Sequence, residues 1–418
     1  MKRFRLLCAA AVCLAMAAGI VFKLRQAGGP RASGPLPHAF YVWQRAWGPP
    51  VIAAVGTAPE WVQGLAPLGA EVTWRGDGKP QIAWPKVDYA VLRAAKRPVS
   101  AVLRVGPRVP SMDSAPALCA TARELLARFQ QGGVMPVELQ VDFDCAESQL
   151  DGYRMWLTAL REAVAPLPVR PTVLPSWLGH PMFAALARES GAYILQVHAT
   201  ERPRIGAPDT ALCEAARAQK WVERAGRIGV PFRVALPTYT YVVGFAPNGK
   251  LLGIQAEGEA RMWPQGTVVR AFRPDAVQLA ELVASWTKDR PASLTGVLWY
   301  RLPVATDTLN WHWPTLAAVA AGRAPHGDLR IEKSGALPVD LTLVNEGDAE
   351  VPLPSEIVAV SGENGVVADG VGGYRAQTRG CEVVFQCAPE LASLRLAPGA
   401  RHPLGWVRTN SGIEVHVR

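Results

Sequence analysis

A repeated alternation limits what this chain can fold into more than any other feature. From about Ala39 to Ala324, short runs of β-branched and aromatic residues are separated by longer segments with helical apolar spacing. That is the pattern of successive βα units, which build a parallel sheet covered by helices. The runs that read as strands are Ala39 to Trp43, Ala70 to Trp74, Val99 to Val105, Val137 to Asp144, Arg170 to Leu174, Ala192 to His198, Phe232 to Pro237 and Gly296 to Tyr300. Between them Ala115 to Phe129, Ser148 to Ala163, His180 to Glu189, Asp209 to Ala225 and Asp275 to Trp286 carry capping or amphipathic signals of helices. Eight parallel strands with outer helices predict an α/β fold of the (β/α)8 TIM-barrel type. A doubly wound sheet would call for a glycine-rich phosphate loop after the first strand, and Trp47-Gly-Pro-Pro-Val51 does not supply one.

With 418 residues, 49% hydrophobic and 19% charged, the chain has material for a large domain and a smaller one. The barrel is expected over residues 38–325. Lys250 to Phe272 is too long for a plain βα loop and contains two strand-like pieces, Leu251 to Gln255 and Thr267 to Phe272, which predict a β-hairpin inserted near the barrel mouth. Past Pro325 the helical signal stops. Short strand-like runs at Leu341 to Val344, Ile357 to Val360, Glu382 to Phe385, Ser393 to Leu396 and Gly412 to Val417 predict a small all-β sandwich over residues 326–418.

At the start of the chain, Lys2, Arg3 and Arg5 precede the apolar run Leu6 to Phe22, so residues 1–27 read as a signal peptide or an N-terminal membrane anchor. Ala15-Met-Ala-Ala-Gly19 offers a cleavage site, whereas Lys23-Leu-Arg-Gln26 suits a retained anchor, and both readings stand. Either way the protein is expected to be exported: periplasmic, anchored in an inner membrane, or secreted. Cys8 and Cys13 lie in the run without a convincing lipidation motif. The net charge of +9 is partly that of the flanks of this run; the other arginines are scattered, with no aromatic-interleaved stripe, so nucleic acid is not the expected partner. Cys381 and Cys387 bracket the strand-like Glu382-Val-Val-Phe-Gln386 and are expected to form a local disulfide in an oxidising compartment. For Cys119, Cys145 and Cys213, buried thiols and a Cys119–Cys145 bridge are both open. No Cys/His spacing suits a metal, and no cofactor is assigned.

The candidate site begins at Val137-Glu-Leu-Gln-Val-Asp-Phe-Asp-Cys145. In an extended segment side chains alternate, so Glu138, Gln140, Asp142 and Asp144 share one face and Val137, Leu139, Val141 and Phe143 the other. Carboxylates are seldom buried without a partner, and two at a strand end suggest a site. In such barrels the working residues sit at the carboxyl ends of the strands. The other ends offer Tyr41, Trp43 and Arg45, then Trp177, Gln196 and His198, then Tyr239 and Tyr241, and finally Trp299 and Arg301. Flat aromatic rings with polar edges suit stacking on sugars while carboxylates and amides bond hydroxyls, so a carbohydrate is the first ligand to consider. Glycosidic cleavage needs carboxyl groups in different environments, and Asp142 and Asp144 are the catalytic candidates. Their Cα atoms lie roughly 6–7 Å apart on one strand, close enough for one charge to raise the pKa of the other. Glu201 and Asp307 are the available carboxylates on further strand ends.

Each of these residues also has an ordinary structural use. The aspartates can accept from arginines and amides in an ion-pair network, His198 can be a satisfied core histidine, Gln140 and Gln196 can pair across the barrel, and the aromatics can simply pack. Asp151 and Arg154 read as a helix-supporting pair, and Asn310-Trp-His-Trp313 as packing for the last helix.

Phe40-Tyr-Val-Trp43-Gln-Arg45, Leu139-Gln-Val-Asp-Phe-Asp144 and Leu236-Pro-Thr-Tyr239 together resemble the bacterial family of unknown function DUF3142 over most of the barrel region. That resemblance implies an exported barrel protein and no established activity. The Asp142-Phe-Asp144 strand is also similar to the fourth strand of chitinase-like glycosidases, whose pattern is Asp-x-x-Asp-x-Asp-x-Glu. Here the pattern's first Asp falls on Leu139 and its acid Glu on Ala146, with Glu147 one residue later. The expected function is therefore an exported glycoside-hydrolase-like protein acting on or binding a polysaccharide, with Asp144 as acid or base and Asp142 tuning it. The alternative is a catalytically inactive barrel that binds a glycan or a protein partner in the cell envelope. A third reading, a structural envelope protein without a ligand, has Trp177 and Tyr239 serving stability alone.

Overall fold

The computed structural model describes residues 29–75, 78–107, 114–209, 212–256, 261–391 and 394–417; the expected signal or anchor at 1–27, with Cys8 and Cys13, lies outside them. All the expected barrel strands are present: β1 (His38–Val42), β2 (Val62–Trp74), β3 (Ser100–Val105), β4 (Glu138–Phe143), β5 (Val169–Val173), β6 (Tyr193–Gln196), β7 (Phe232–Pro237) and β8 (Leu294–Tyr300). Each pairs in parallel with the next, and β8 pairs in parallel with β1, so the ring closes as an eight-stranded barrel with no open edge.

Two shells pack against the strands. Outward residues Leu139, Val141 and Phe143 of β4 are buried, and Phe143 lies 5.2 Å from both Tyr153 and Trp156 of the helix Leu150–Val164. On β2, a Cβ at Gly69 would fall 2.4 Å from Leu125, so glycine is what lets the helix Ala115–Gln131 approach the sheet. Inside, Tyr41, Trp43, Ala66, Leu68, Val102, Ile194, Ala235 and Leu298 fill the lumen, each strand sending alternate residues inward.

The insertion after β7 differs from the expected hairpin. It is a three-stranded antiparallel sheet in which Tyr241–Phe245 runs between Leu251–Gln255 and Val268–Phe272. The central strand follows β7 after only three residues, so its aromatic start at Tyr241 reads in sequence as the tail of a barrel strand.

By contacts the chain forms two compact units: residues up to Asp275 with Leu282–Trp311, and Ala276–Glu281 with His312–Arg418. The second unit contains two four-stranded antiparallel sheets: Leu329–Ser334, Val339–Asn345, Arg401–Arg408 and Val367–Gly370 in one, and Tyr374–Arg379, Glu382–Cys387, Glu356–Ser361 and Ile413–Val417 in the other. Leu341, Leu343, Leu404 and Val407 of the first sheet share a core with Ile357, Ala359, Val383 and Phe385 of the second. Three of the strands missing from the sequence reading, starting at Leu329, Val367 and Tyr374, are sheet edges, where charged side chains hide the apolar alternation.

The expected disulfide does not form. Cys381 and Cys387 are free, as are the buried Cys119, Cys145 and Cys213. The strand Glu382–Cys387 runs between the first two; extended chain covers about 3.3 Å per residue, so their Cα atoms are far beyond the ~4.4–6.8 Å a disulfide requires. Among the described residues no helix is long and apolar enough to cross a membrane.

Candidate functional site

At the carboxyl ends of the barrel strands a cavity of about 290 Å3 opens. Tyr41, Trp43 and Arg45 come to it from β1 and its exit, Arg104 from β3, Asp142 and Asp144 from β4, Thr172 from β5, Gln196 and His198 from β6, Tyr239 and Tyr241 from beyond β7, and Tyr300 and Arg301 from the end of β8. The structure thus brings together ten of the residues expected at the mouth: both aspartates, Tyr41, Trp43, Arg45, Gln196, His198, Tyr239, Tyr241 and Arg301.

Register explains the electrostatics. Arg104 of β3 lies directly opposite Asp142 of β4. Thr172 on β5 donates its hydroxyl to Asp142 Oδ1 at 2.8 Å. Burial raises the Asp142 pKa, while Arg104 and the Thr172 hydrogen bond pull against that rise. Asp144, two residues on at the rim, lacks the Thr172 hydrogen bond. Its pKa is pushed up to about 6 by burial of the carboxyl and by the neighbouring charge of Asp142, with Arg104 opposing. The two carboxyls therefore sit in unlike surroundings, Asp142 deep beside Arg104 and Thr172 and Asp144 at the rim. Around the rim, Glu71 on β2 accepts from Arg45 at 3.0 Å and faces Arg104 at 3.5 Å, and Arg104 lies 5.5 Å from the centre of the Trp43 ring.

The walls are aromatic. Trp43 and Tyr300 approach to 5.0 Å, Tyr239 and Tyr300 to 5.1 Å, and Tyr239 and Tyr241 to 5.1 Å, all in edge-on geometry. Tyr241 and Tyr300 are half-buried and present ring surface, while Trp43 and Tyr239 are packed behind them. His198 is buried beside Tyr239 and Tyr300, its Nδ1 3.4 Å from the Tyr239 hydroxyl, and burial lowers its pKa to about 3, so the ring is neutral. Buried Arg301 pairs with Asp307 and donates to the Ala256 carbonyl at 2.8 Å, which fixes its fork at the wall.

Three expected ligand contacts lie elsewhere. Gln140 faces inward as expected but sits below the cavity, wholly buried, donating to Glu138 at 2.8 Å. Glu138 also takes Arg233 and the Ser100 hydroxyl. Burial would raise its pKa, but Arg233, Ser100 and Gln140 outweigh this and hold it below the usual carboxylate range. That cluster is a structural floor. Trp177 is fully buried in the short 3-10 turn Pro175–Gly179, where its indole N–H donates to the Cys145 carbonyl at 3.3 Å. Trp299 points outward from β8, its indole N–H 3.0 Å from His38 Nδ1, because the inward residues of that strand are Leu298 and Tyr300.

The further carboxylates are also committed elsewhere. Asp307 is held by Arg301, and Glu201 pairs with Arg217 at 2.6 Å. Glu147 heads an exposed turn, Glu147–Gln149, and does not line the mouth. Sequence reasoning missed Arg104, Thr172 and Tyr300. Arg104 carried a signal, being the one charge near the end of an apolar strand; Tyr300 carried none, because Gly296 to Tyr300 is apolar on both faces. Among the described residues no group of three or more His, Cys, Asp or Glu side chains could hold a metal ion.

The model of a domain of unknown function, DUF3142, matches residues 95–305, and that of a second, DUF8456, matches residues 329–410. No curated protein matches the chain. Among solved structures, the spore cortex-lytic enzyme SleL of Bacillus cereus is similar with a TM-score of 0.49 and 11% identity, over 70% of this chain and 75% of that one. Chitinase ChiA74 from Bacillus thuringiensis has a TM-score of 0.42 and 8% identity over 91% of this chain and 100% of that one. The chitinase RmChi1 from Rhizomucor miehei has a TM-score of 0.40 and 15% identity over 64% and 94%. Identities this low leave the chemistry of the mouth to its own residues.

Proposed function

The chain belongs to the DUF3142 family, and since that membership carries no activity, we propose from the site itself that the barrel mouth binds a polysaccharide and cleaves its glycosidic bond. What carries the reading is Asp144: a carboxyl raised to about 6 beside an Asp142 that lies opposite Arg104 and takes a hydrogen bond from Thr172. Two carboxyls in unlike environments are the equipment of glycoside hydrolysis. Half-buried Tyr241 and Tyr300 offer ring faces to a sugar, and Gln196, Arg45 and Arg301 offer polar groups around them.

In this reading protonated Asp144 gives its proton to the glycosidic oxygen as the C–O bond breaks. Ionised Asp142 stabilises the positive charge developing on the ring. Water supplies the hydroxyl that bonds to the anomeric carbon, and its released proton returns to Asp144. Atoms and charge balance over the cycle.

The test is reducing-end release from a panel of bacterial and plant glycans. Asp144→Asn is expected to lower cleavage roughly 10²–10⁴-fold while leaving binding intact. Cleavage unchanged in that variant removes Asp144 from the chemistry. A binding-only barrel is the second reading, favoured by Ala146 occupying the position where chitinase-like strands carry their acid. It predicts glycan binding with no reducing ends released by wild type or variant. Export belongs to the same proposal: Lys2, Arg3 and Arg5 ahead of Leu6 to Phe22 support it, and cell fractionation tests it.

A further inference from the structure

The mouth adjoins a second cavity of about 380 Å3, with Ala199 and Tyr241 forming part of the wall of both. Its wall is largely the segment that leaves β6. Ala199, at a left-handed φ of +52°, turns the chain away from the barrel axis. Arg270, from the strand Val268–Phe272, then ties the segment down: it donates to the carbonyls of Ile205 and Ala207 and pairs with Asp209. The wall is therefore anchored at three points to the inserted sheet.

Two of its side chains, Arg202 and Arg204, line this cavity, one residue apart with Pro203 between them. Other arginines around the two cavities are already matched with carboxylates: Arg45 with Glu71, Arg217 with Glu201, Arg270 with Asp209 and Arg301 with Asp307. Glu214, the other acid on the wall, also faces Arg217, at 3.7 Å. Among the described residues the guanidinia of Arg202 and Arg204 have no hydrogen bond or ion pair. Two planar forks on one wall form a receptor for a carboxylate or sulfate, which each can grip with paired N–H donors.

We infer that the glycan is acidic, its anionic group held by Arg202 and Arg204 in the second cavity while a sugar ring occupies the mouth. The inference rests on the proposed function and narrows its substrate class. Exposure of the two arginines means that binding there weakens with ionic strength.

The experiment measures binding of a polyuronate, a sulfated polysaccharide and a neutral glucan to the full chain carrying Asp144→Asn, which slows cleavage during the measurement. At low salt at least one acidic polymer is expected to bind about tenfold or more tighter than the neutral one, and the two acidic arms report which anion is preferred. Arg202→Gln with Arg204→Gln should remove that preference, a loss of about tenfold or more for the pair, with an unchanged Tm because both side chains are exposed. A neutral glucan bound as tightly as the acidic ones, or a preference that survives the double substitution, overturns the inference while glycan binding at the mouth stands. Binding of none of the polymers overturns both. Tyr241→Ala, which strips a ring from the wall common to both cavities, should weaken every arm alike.

Discussion

Two residues of the mouth titrate where experiments can see them. For cleavage, Asp144 has to carry its proton, so the rate should fall as pH rises through about 6, and a profile flat across that range would contradict its role as acid. His198 makes a separate prediction about stability. Its pKa is about 3 in the folded protein against 6.5 for the free side chain, so the unfolded chain binds the extra proton. The neutral ring's contribution is fully present above about 6.5 and is lost as pH falls toward about 3, with a slope of at most about 1.4 kcal/mol per pH unit. Urea unfolding from pH 7 to 4 measures it, and His198→Gln should flatten that part of the curve; an equal slope in the variant would place the ring in water. Asp142 shows what local sequence can and cannot tell. Its inward direction follows from alternation along β4, but its surroundings follow from Arg104 and Thr172, brought beside it by two other strands.

At the scale of the element, strand parity separates ligand contacts from packing. Trp177 and Trp299 are both fully buried and both donate their indole N–H to a protein acceptor, so they belong to the scaffold. Replacing either with alanine should cost about 3–5 kcal/mol, read as a lowered urea midpoint, with the ranking of glycans by affinity unchanged in the protein that remains folded. A variant with normal stability and a changed ranking would put that tryptophan at the mouth. Trp299 and Tyr300 were interchangeable in sequence because Val297, Leu298 and Trp299 are all buried and the strand has no polar face to mark its parity. β4 had such a face, and its four polar residues were assigned to it correctly; depth along the lumen was not legible, which is why Gln140 proved to be floor and Asp142 wall. The inserted sheet shows the converse case, since Tyr241–Phe245 is a strand only because Leu251–Gln255 and Val268–Phe272 pair on either side of it.

For the whole molecule, stability should not depend on redox conditions. The five described cysteines are free, and the expected Cys381–Cys387 bridge is excluded by the strand stretched between them. A reductant should therefore leave the Tm unchanged, and a drop on reduction would reveal a disulfide that this fold does not contain. The C-terminal sheets instead rely on a shared apolar core in which Leu341, Leu343, Phe385 and Leu404 are almost wholly buried. By itself the sequence determined the number of barrel strands, their order and the inward face of β4. Those follow from the period-two alternation and the βα rhythm, both properties of neighbouring residues. Only the tertiary structure decided which inward residues meet at the mouth, which groups surround each aspartate and which arginines are left without a carboxylate. Such outcomes depend on the stagger between strands distant in sequence and on the loops that close over them, and no local pattern encodes either.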